Sequence, residues 1–496
     1  MEKVEEKILR ELQILEDNYN NSIFNSRSLE DIINEIVDVY IFDTRPWILG
    51  FSGGKDSTTT LQLVWSAIEV VYKKFPEKIK PLYIIASDTL VETPIIANHL
   101  KKQLELLEKA SKNSNLGIQI VKVVPAQNDT FWVNLIGRGY PAPTNLFRWC
   151  TDRMKIRPAN KFIIDTASEF GEVIVVLGVR KQESMTRAQI MSLHKKPESL
   201  LSTHSSIPAA YVYTPIEDFT TDDIWSYLRE EQSPVGFDNN ELFKMYKDAT
   251  GECPLVIDKS TPSCGNSRFG CWTCTVVKED KSLNAQINSG QQWLKPMLEF
   301  RNFLAMTQEV ENRDKYRSHK RRNGKVTKLT KNGEGHYVPG PYEPWFRKEL
   351  LEKLLKTQLE LKSLNPIENI ELISENELYT IAKIWKYEEG DWEESVPRIY
   401  KKVMNKPLNI PKDDIGMFNT KELNTLKELA EEEDTNFQLL VDLLSVERKM
   451  YGMLVRPKIH KSISKILRKD WRTKQEVLKE IEKEVLKEIE QNNKQN

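Results

Sequence analysis

The stretch 47–65, WILGFSGGKDSTTTLQLVW, constrains this chain more than any other. An even apolar run ends in Ser-Gly-Gly-Lys-Asp-Ser, and a segment with helical spacing follows. That order puts a glycine-rich turn between a buried strand and a helix N-terminus. There, backbone N–H groups and the positive end of the helix dipole cradle an anion such as pyrophosphate. Gly53 and Gly54 let the backbone approach the ligand, Ser52 and Ser57 supply hydroxyls, and Lys55 adds charge. The loop is not a Walker loop: the GxxxxGK[ST] spacing is absent, and Asp56 follows the lysine where that motif has Ser or Thr.

The flanking sequence predicts what carries the loop. Strands are expected at WILGF, PLYIIASD, IQIVKVVP and EVIVVLGV, with helices over 58–74 and 94–111 between them. Short, evenly apolar strands alternating with helices indicate an α/β fold with a doubly wound, mainly parallel sheet. Ligands in such sheets sit at the carboxyl ends of the strands, here the loops after Phe51, Ser87 and Val179. Amphipathic helices are expected over 3–20, with Val4, Ile8, Leu12 and Leu15 on one stripe, and over 28–40. Residues 230–290 read as loop-rich, 292–308 as a helix, and 312–340 as a polar basic tract with NG and EG turn signals. Beyond Pro344 the pattern is helical, and the duplicated VLKEIEKE/VLKEIEQN tail reads as one solvated amphipathic helix. The expected divisions are 1–44, a nucleotide domain over 45–230, a cysteine-rich and basic segment over 231–343, and a helical region over 344–496.

Composition narrows the function classes. With 39% hydrophobic residues in 496, the chain can bury several cores. No apolar run approaches the roughly 18 residues a membrane span needs, and the charged N-terminus is unlike a signal peptide, so a cytoplasmic protein without a membrane partner is expected. Lys and Arg (72) nearly cancel Asp and Glu (73), so contact with a polyanion must come from local clustering. The tract 312–331 provides it, with nine Lys/Arg against one Asp and Tyr316 and His319 interleaved. Lys320, Arg321, Arg322 and Lys325 are its candidate phosphate contacts. A second basic stretch covers 456–469, and a solvated loop is the alternative reading of the first.

Five cysteines point to metal or catalytic use rather than to disulfides. Cys253, Cys264, Cys271 and Cys274 fall within 22 residues and include one C-x-x-C pair, a plausible tetrahedral set for zinc or an iron–sulfur cubane. Cys150, in RWCTDRMKIRP, is the candidate for chemistry: Arg148, Arg153 and Lys155 beside it predict an acidic thiol suited to carrying a persulfide. The alternatives are a buried thiol beside Trp149 or a cluster ligand.

SGGKDS after an apolar strand resembles the PP-loop of the ATP pyrophosphatases, with the adenine-nucleotide α-hydrolase-like fold. The resemblance implies ATP bound by Ser52, Gly53, Gly54, Lys55, Asp56 and Ser57, with attack at the α-phosphorus. SDTLVET places Asp88 where a nucleotide or Mg2+ could be met. LGVRKQESMTR, with Gly178, Arg180, Glu183, Ser184 and Arg187, and TPIEDFTTDDIWSYL are similar to segments of the adenylyl-sulfate and phosphoadenylyl-sulfate reductase branch. Taken alone, Thr220 or Thr221 is a helix cap and Trp225 a core aromatic.

RPWILGFSGGKDSTTTLQLVW, RWCTDRMKIRP and CGNSRFGCWTCTVV together resemble the DndC family of DNA phosphorothioation (sulfur-modification) proteins, which belong to restriction–modification systems. That resemblance implies a 4Fe–4S cluster, ATP pyrophosphatase and sulfurtransferase activity on DNA, a cysteine desulfurase (DndA/IscS-like) as sulfur donor, and DndD- and DndE-like subunits. Lys55, Asp56, Arg180 and Cys150 are then the catalytic candidates, and Arg187 joins the tract residues as a DNA contact. Three other readings compete: a sulfonucleotide reductase, which usually ends in a tail cysteine not present after Cys274; a tRNA thiolase; and a nucleotide-sensing DNA-binding scaffold.

Overall fold

The computed structural model describes residues 22–183, 189, 192–194, 199–250, 270–331, 334–365, 370–410 and 420–495. The expected helix over 3–20, and Ser184, Arg187, Cys253 and Cys264, lie outside the described residues. Two compact units are present, Met1–Ala126 with Trp149–Leu298, and Gln127–Arg148 with Glu299–Asn496.

The first unit is built on a six-stranded sheet. Helix α1 (Leu29–Ile41) starts at Ser28, whose hydroxyl and the Asp31 carboxylate cap each other's backbone. Then come β1 (Trp47–Phe51), α2 (Lys55–Lys74), β2 (Leu82–Ser87), α3 (Pro94–Ser114), β3 (Ile118–Val123), α4 (Arg157–Phe170) and β4 (Val173–Val176). The sheet order is β3-β2-β1-β4, all parallel, and it is extended by β6 (Ala210–Tyr213), parallel to β4, and by β5 (Leu201–Thr203), antiparallel at the edge. β5 and β6 escape the sequence pattern because they are short and only partly apolar.

Chain direction across the sheet reverses between β1 and β4, which makes the loop after β1 the topological switch point. Trp47, Leu49 and Phe51 face a core shared with α1, α2 and α5 (Thr221–Glu230), and Ile48 faces one shared with α4. Thr220 caps α5, and Trp225 is wholly buried, as the sequence predicts. Where a loop-rich stretch is expected, the chain forms α6 (Asn239–Thr250) and α7 (Lys281–Asn288), whose periodicity is masked by polar residues.

The second unit is mostly helical: α8 (Lys295–Met306), α9 (Val310–Tyr316), α10 (Pro344–Leu364), α11 (Glu375–Glu388), α12 (Ser395–Met404), α13 (Thr420–Glu432), α14 (Phe437–Lys449), α15 (Ile459–Leu467) and α16 (Lys474–Gln495). The basic tract is ordered by α9 and by the hairpin β7 (Lys328–Lys331) and β8 (Glu334–Tyr337). The duplicated tail is a single helix, α16, which buries Val477 and Ile481 against Tyr337. Among the described residues no helix is long and apolar enough to cross a membrane.

Candidate functional site

The loop after β1 is a closed anion cradle. Gly53 sits at φ +72°, a left-handed conformation that favours glycine, and any Cβ there would come within 2.8 Å of Gln103 Oε1. Ser57 is a brace, not a free donor: its hydroxyl accepts from Ser52 N–H at 3.2 Å and donates to Gly54 O at 3.0 Å. Ser52 is exposed and remains the candidate hydroxyl ligand.

Asp56, in the first turn of α2, accepts from Lys55 Nζ and from Arg180 Nε, both at 2.6 Å. Burial pushes its carboxyl up, but Lys55 and Arg180 outweigh burial and hold it below the usual carboxylate range. The expectation that Arg180 is a rim group for phosphate needs correction. It is 3% exposed and also donates to Phe219 O, so it acts through Asp56 to fix the loop. Gly178 likewise serves packing: a Cβ there would stand 2.7 Å from Asp56 O and 2.8 Å from Thr60 Oγ1.

Three side chains around the loop have no signal in the sequence. Tyr246 of α6 accepts from Lys55 N–H through its hydroxyl at 3.2 Å, one of the donors an anion would use. His99 and Gln103, one turn apart on α3, are buried, and His99 Nε2 and Gln103 Oε1 have no hydrogen-bond partner among the described residues. Only tertiary packing brings α3 and α6 to this loop.

The segment after β2 joins the loop to the thiols. Asp88 pairs with Lys122 at 2.6 Å and accepts from Leu90 N–H, and Leu90 holds a left-handed φ of +65°, an uncommon conformation for a leucine. Burial raises both acids of the Asp88–Glu92 pair; Lys122 brings Asp88 back below its ordinary value, and Asp88's charge adds to the rise at Glu92, so a proton shared between them rests on Glu92. Glu92 also forms an antiparallel bridge with Cys271, and Trp272 N–H donates to Val91 O at 3.0 Å. Thr89 Oγ1 lies 3.3 Å from Cys271 Sγ. The C-x-x-C turn is thus pinned to the carboxyl end of β2, next to the phosphate loop in the sheet order.

Cys150 belongs with these thiols. It lies in the short helical turn Trp149–Thr151, which runs through a π-turn, Asp152–Ile156, into α4; π-turns recur at functional sites. Burial, then the neighbouring Cys274, pushes the Cys150 thiol up, against the acidic thiol expected from its basic neighbours. Burial raises Cys271 to about 11, with Lys155 opposing. Lys155 is held protonated first by Cys271, with Glu92, Cys150 and Cys274 adding to the effect. Cys150, Cys271 and Cys274 therefore share one electrostatic neighbourhood around Lys155. Among the described residues no three His, Cys, Asp or Glu side chains stand close enough to hold a single metal ion.

In the helical unit, Arg321, Arg322 and Lys325 are exposed. Lys320 is half-buried, with Nζ 5.6 Å from the Trp471 ring, and Lys328 is neutralised by Glu480 and Glu484 of α16. The tract therefore presents fewer free cations than its composition suggests.

The switch-point sheet carries its SGGKDS loop at the carboxyl end of β1, where sheets of this kind meet their ligands. Residues 46–277 match the family model described as phosphoadenosine phosphosulfate reductase domain. An uncharacterised protein of Methanocaldococcus jannaschii is 26% identical over 226 residues, covering 45% of this chain and 39% of that relative's length. Among solved structures, phosphoadenylyl-sulfate reductase from Candida auris, a phosphate complex, aligns at 17% identity with TM-score 0.27, covering 46% of this chain and 95% of that one. FMN adenylyltransferase of Candida glabrata, with FAD and inorganic pyrophosphate, aligns at 15% with TM-score 0.28, covering 47% and 67%.

Proposed function

We propose that this chain uses ATP to activate a backbone phosphate oxygen of DNA and promotes its replacement by sulfur, the chemistry of DndC-type phosphorothioation. The observation that carries the reading is the placement of an anion loop and three grouped thiols at neighbouring strand ends of one sheet. A phosphate oxygen is a very poor leaving group, and adenylation converts it into AMP. The N–H groups of the loop, with Ser52 and Lys55, hold the ATP phosphates where charge develops, and the Asp56–Arg180 pair keeps them pointed there. The DNA oxygen attacks the α-phosphorus and pyrophosphate departs. A sulfur nucleophile at the oxidation level of hydrosulfide, supplied by a cysteine desulfurase and a reductant, then attacks the DNA phosphorus, and AMP leaves with the oxygen.

Cys150, Cys271 and Cys274 would supply three of the thiolates a 4Fe–4S cluster takes, with Cys253 or Cys264 the sequence candidates for the fourth, and such thiolates stand further apart than those around one ion. When bound, the cluster supplies electron or sulfur handling next to the anion loop. Asp88 is paired with Lys122, so a magnesium ion held there would compete with that ion pair. DndD- and DndE-like subunits complete the proposed assembly.

The test supplies ATP, DNA, reductant and a cysteine desulfurase, digests the DNA and looks for phosphorothioate dinucleotides by mass spectrometry. Their absence, together with ATP-independent reduction of a sulfonucleotide, would replace this reading with the sulfonucleotide reductase that the family match favours. A thiolated tRNA nucleoside would replace it with the thiolase.

A further inference from the structure

The chain at 138–148 of the helical unit builds an exposed aromatic stack. Thr144 and Phe147 exchange backbone hydrogen bonds, N–H to O distances being 3.3 and 3.1 Å, and this fixes a tight turn whose tip, Asn145–Leu146, points to solvent. Leu146 is fully exposed and Phe147 is 44% exposed. The Phe147 ring lies parallel to Tyr140, with centroids 6.1 Å apart and planes 11° apart. Arg322, exposed on the turn 321–325, places its guanidinium 4.5 Å from the Tyr140 ring centre and donates to the Tyr140 hydroxyl.

The base of this stack is rigid. Buried Tyr342 donates its N–H to Gly139 O at 2.7 Å and accepts from Ala142 N–H at 3.1 Å through its hydroxyl. The Arg322 turn is closed by Arg321 N–H to Lys325 O and by Gly324 N–H to Arg321 O, both at 2.8 Å.

The arrangement differs from core packing in its exposure. Tyr40–Trp47, Phe131–Trp132 and Trp132–Phe300 meet edge to face at 78°, 87° and 83°, and Phe51–Phe237 stacks at 24° with both rings buried, the geometries ring quadrupoles favour. Two parallel rings at the surface, with a guanidinium on one of them, instead form a platform for a third flat π system. The cations around it, Arg148, Arg321, Arg322 and Lys325, are all exposed, which suits a ligand whose flat groups are strung on a polyanion.

We infer that Phe147, Tyr140 and Arg322 form a stacking site for an unpaired nucleobase of DNA. This rests on the DNA reading and sharpens it: the substrate is engaged where a base is out of the duplex, either in a single strand or as an extrahelical nucleotide. The Arg321, Arg322 and Lys325 charges hold the backbone without regard to sequence, and the Phe147 face takes the base.

The experiment measures binding of the full chain by fluorescence anisotropy to three DNAs of one sequence: single strand, perfect duplex, and duplex with one bulged 2-aminopurine. Phe147→Leu keeps the apolar volume but removes the ring, and Phe147→Trp keeps a larger ring; unchanged thermal melts show that both variants fold. Loss of one base–aromatic stack should weaken single-strand and bulged-duplex binding roughly tenfold in Phe147→Leu, with recovery in Phe147→Trp and little change for perfect duplex. The 2-aminopurine fluorescence should be quenched by the native chain and not by Phe147→Leu. If the native chain binds perfect duplex but Phe147→Leu changes single-strand and bulged binding less than twofold, the stacking site is refuted and the DNA reading stands. If the native chain binds none of the three DNAs, both fall. Tighter capture of the matching RNA strand than of the DNA strand would also overturn the assignment to DNA.

Discussion

Replacing Arg180 with methionine separates two roles that sequence alone could not distinguish. The structure makes Arg180 the buried brace of the phosphate loop, its Nε 2.6 Å from Asp56 and its Nη1 bonded to Phe219 O. Arg180→Met leaves the Asp56 carboxylate with Lys55 as its charge partner and strips a hydrogen bond from a buried carbonyl. Removing one partner of a buried pair typically costs about 3–5 kcal/mol. The Asp56 side chain is 17% exposed and Lys55 stays, so a smaller cost than that range, about 2–3 kcal/mol, is expected. At about 2–4 °C per kcal/mol, the melting temperature of the sheet unit should fall by roughly 5–10 °C.

The double variant Asp56→Asn/Arg180→Met removes the stranded charge and should recover part of that loss, so the cycle should show a coupling of about 1–2 kcal/mol. Calorimetry and ATP-dependent pyrophosphate release would be measured on the same preparations. An Arg180→Met protein with unchanged melting but abolished pyrophosphate release would refute the brace and make Arg180 a direct phosphate ligand.

Other outcomes can be checked alongside it. Gly54→Asp should abolish pyrophosphate release, because its side chain meets the Tyr246 hydroxyl, 3.1 Å from the Cβ position, and adds negative charge to the anion site. Tyr246→Phe frees the Lys55 N–H and should tighten ATP binding several-fold by titration calorimetry; a weaker binder would make the hydroxyl a phosphate ligand instead. Cys150→Ala or Cys271→Ala should lower iron and acid-labile sulfide in anaerobically purified protein, and a full complement in either would remove that thiol from the cluster. Reversing the charges of Lys320, Arg321 and Arg322 should weaken DNA binding steeply and flatten its salt dependence; an unchanged slope counts against the tract. Lys80 is buried with its Nζ on Tyr40 O and Asp43 O, and burial lowers it to about 8. The folded state therefore releases this proton before the unfolded chain does, so the stability of native protein relative to Lys80→Met should rise by about 1–3 kcal/mol from pH 8 to 10.5; a flat difference in urea melts would contradict it.

Much of the sheet was legible because β1, β2 and β4 are largely buried on both faces and read as nearly unbroken apolar runs, while β3, at the edge, alternates apolar and polar residues. WILGF became β1 without a shift, and the other three expected strands lie within their predicted stretches. The short strands β5 and β6 were not legible: Leu201–Thr203 and Ala210–Tyr213 pair through backbone groups that leave no periodic trace over three or four residues. Helix α6 was hidden for a related reason, since NNELFKMYKDAT carries its apolar residues among polar ones. The site divided along the same line. Residues that act through the backbone or through local spacing, such as Gly53, Gly54 and the C-x-x-C turn, could be read from the sequence.

Burial and long-range company could not be read in that way. Arg180 and an exposed rim arginine look alike in a sequence, yet Arg180 is 3% exposed and pairs with Asp56. Cys150 looked acidic because its sequence neighbours are basic, whereas its spatial neighbours are another thiol and a desolvating core. The sequence by itself determined that a glycine loop would follow a buried strand and face an anion, because strand burial and turn conformation are local properties of residue type. Tertiary structure alone decided that Cys150 shares an electrostatic neighbourhood with Cys271 and Cys274, that Tyr246 covers Lys55 N–H, and that Arg322 lies on Tyr140. Each of these juxtapositions joins residues about a hundred or more positions apart, and only the packing of whole elements sets such distances.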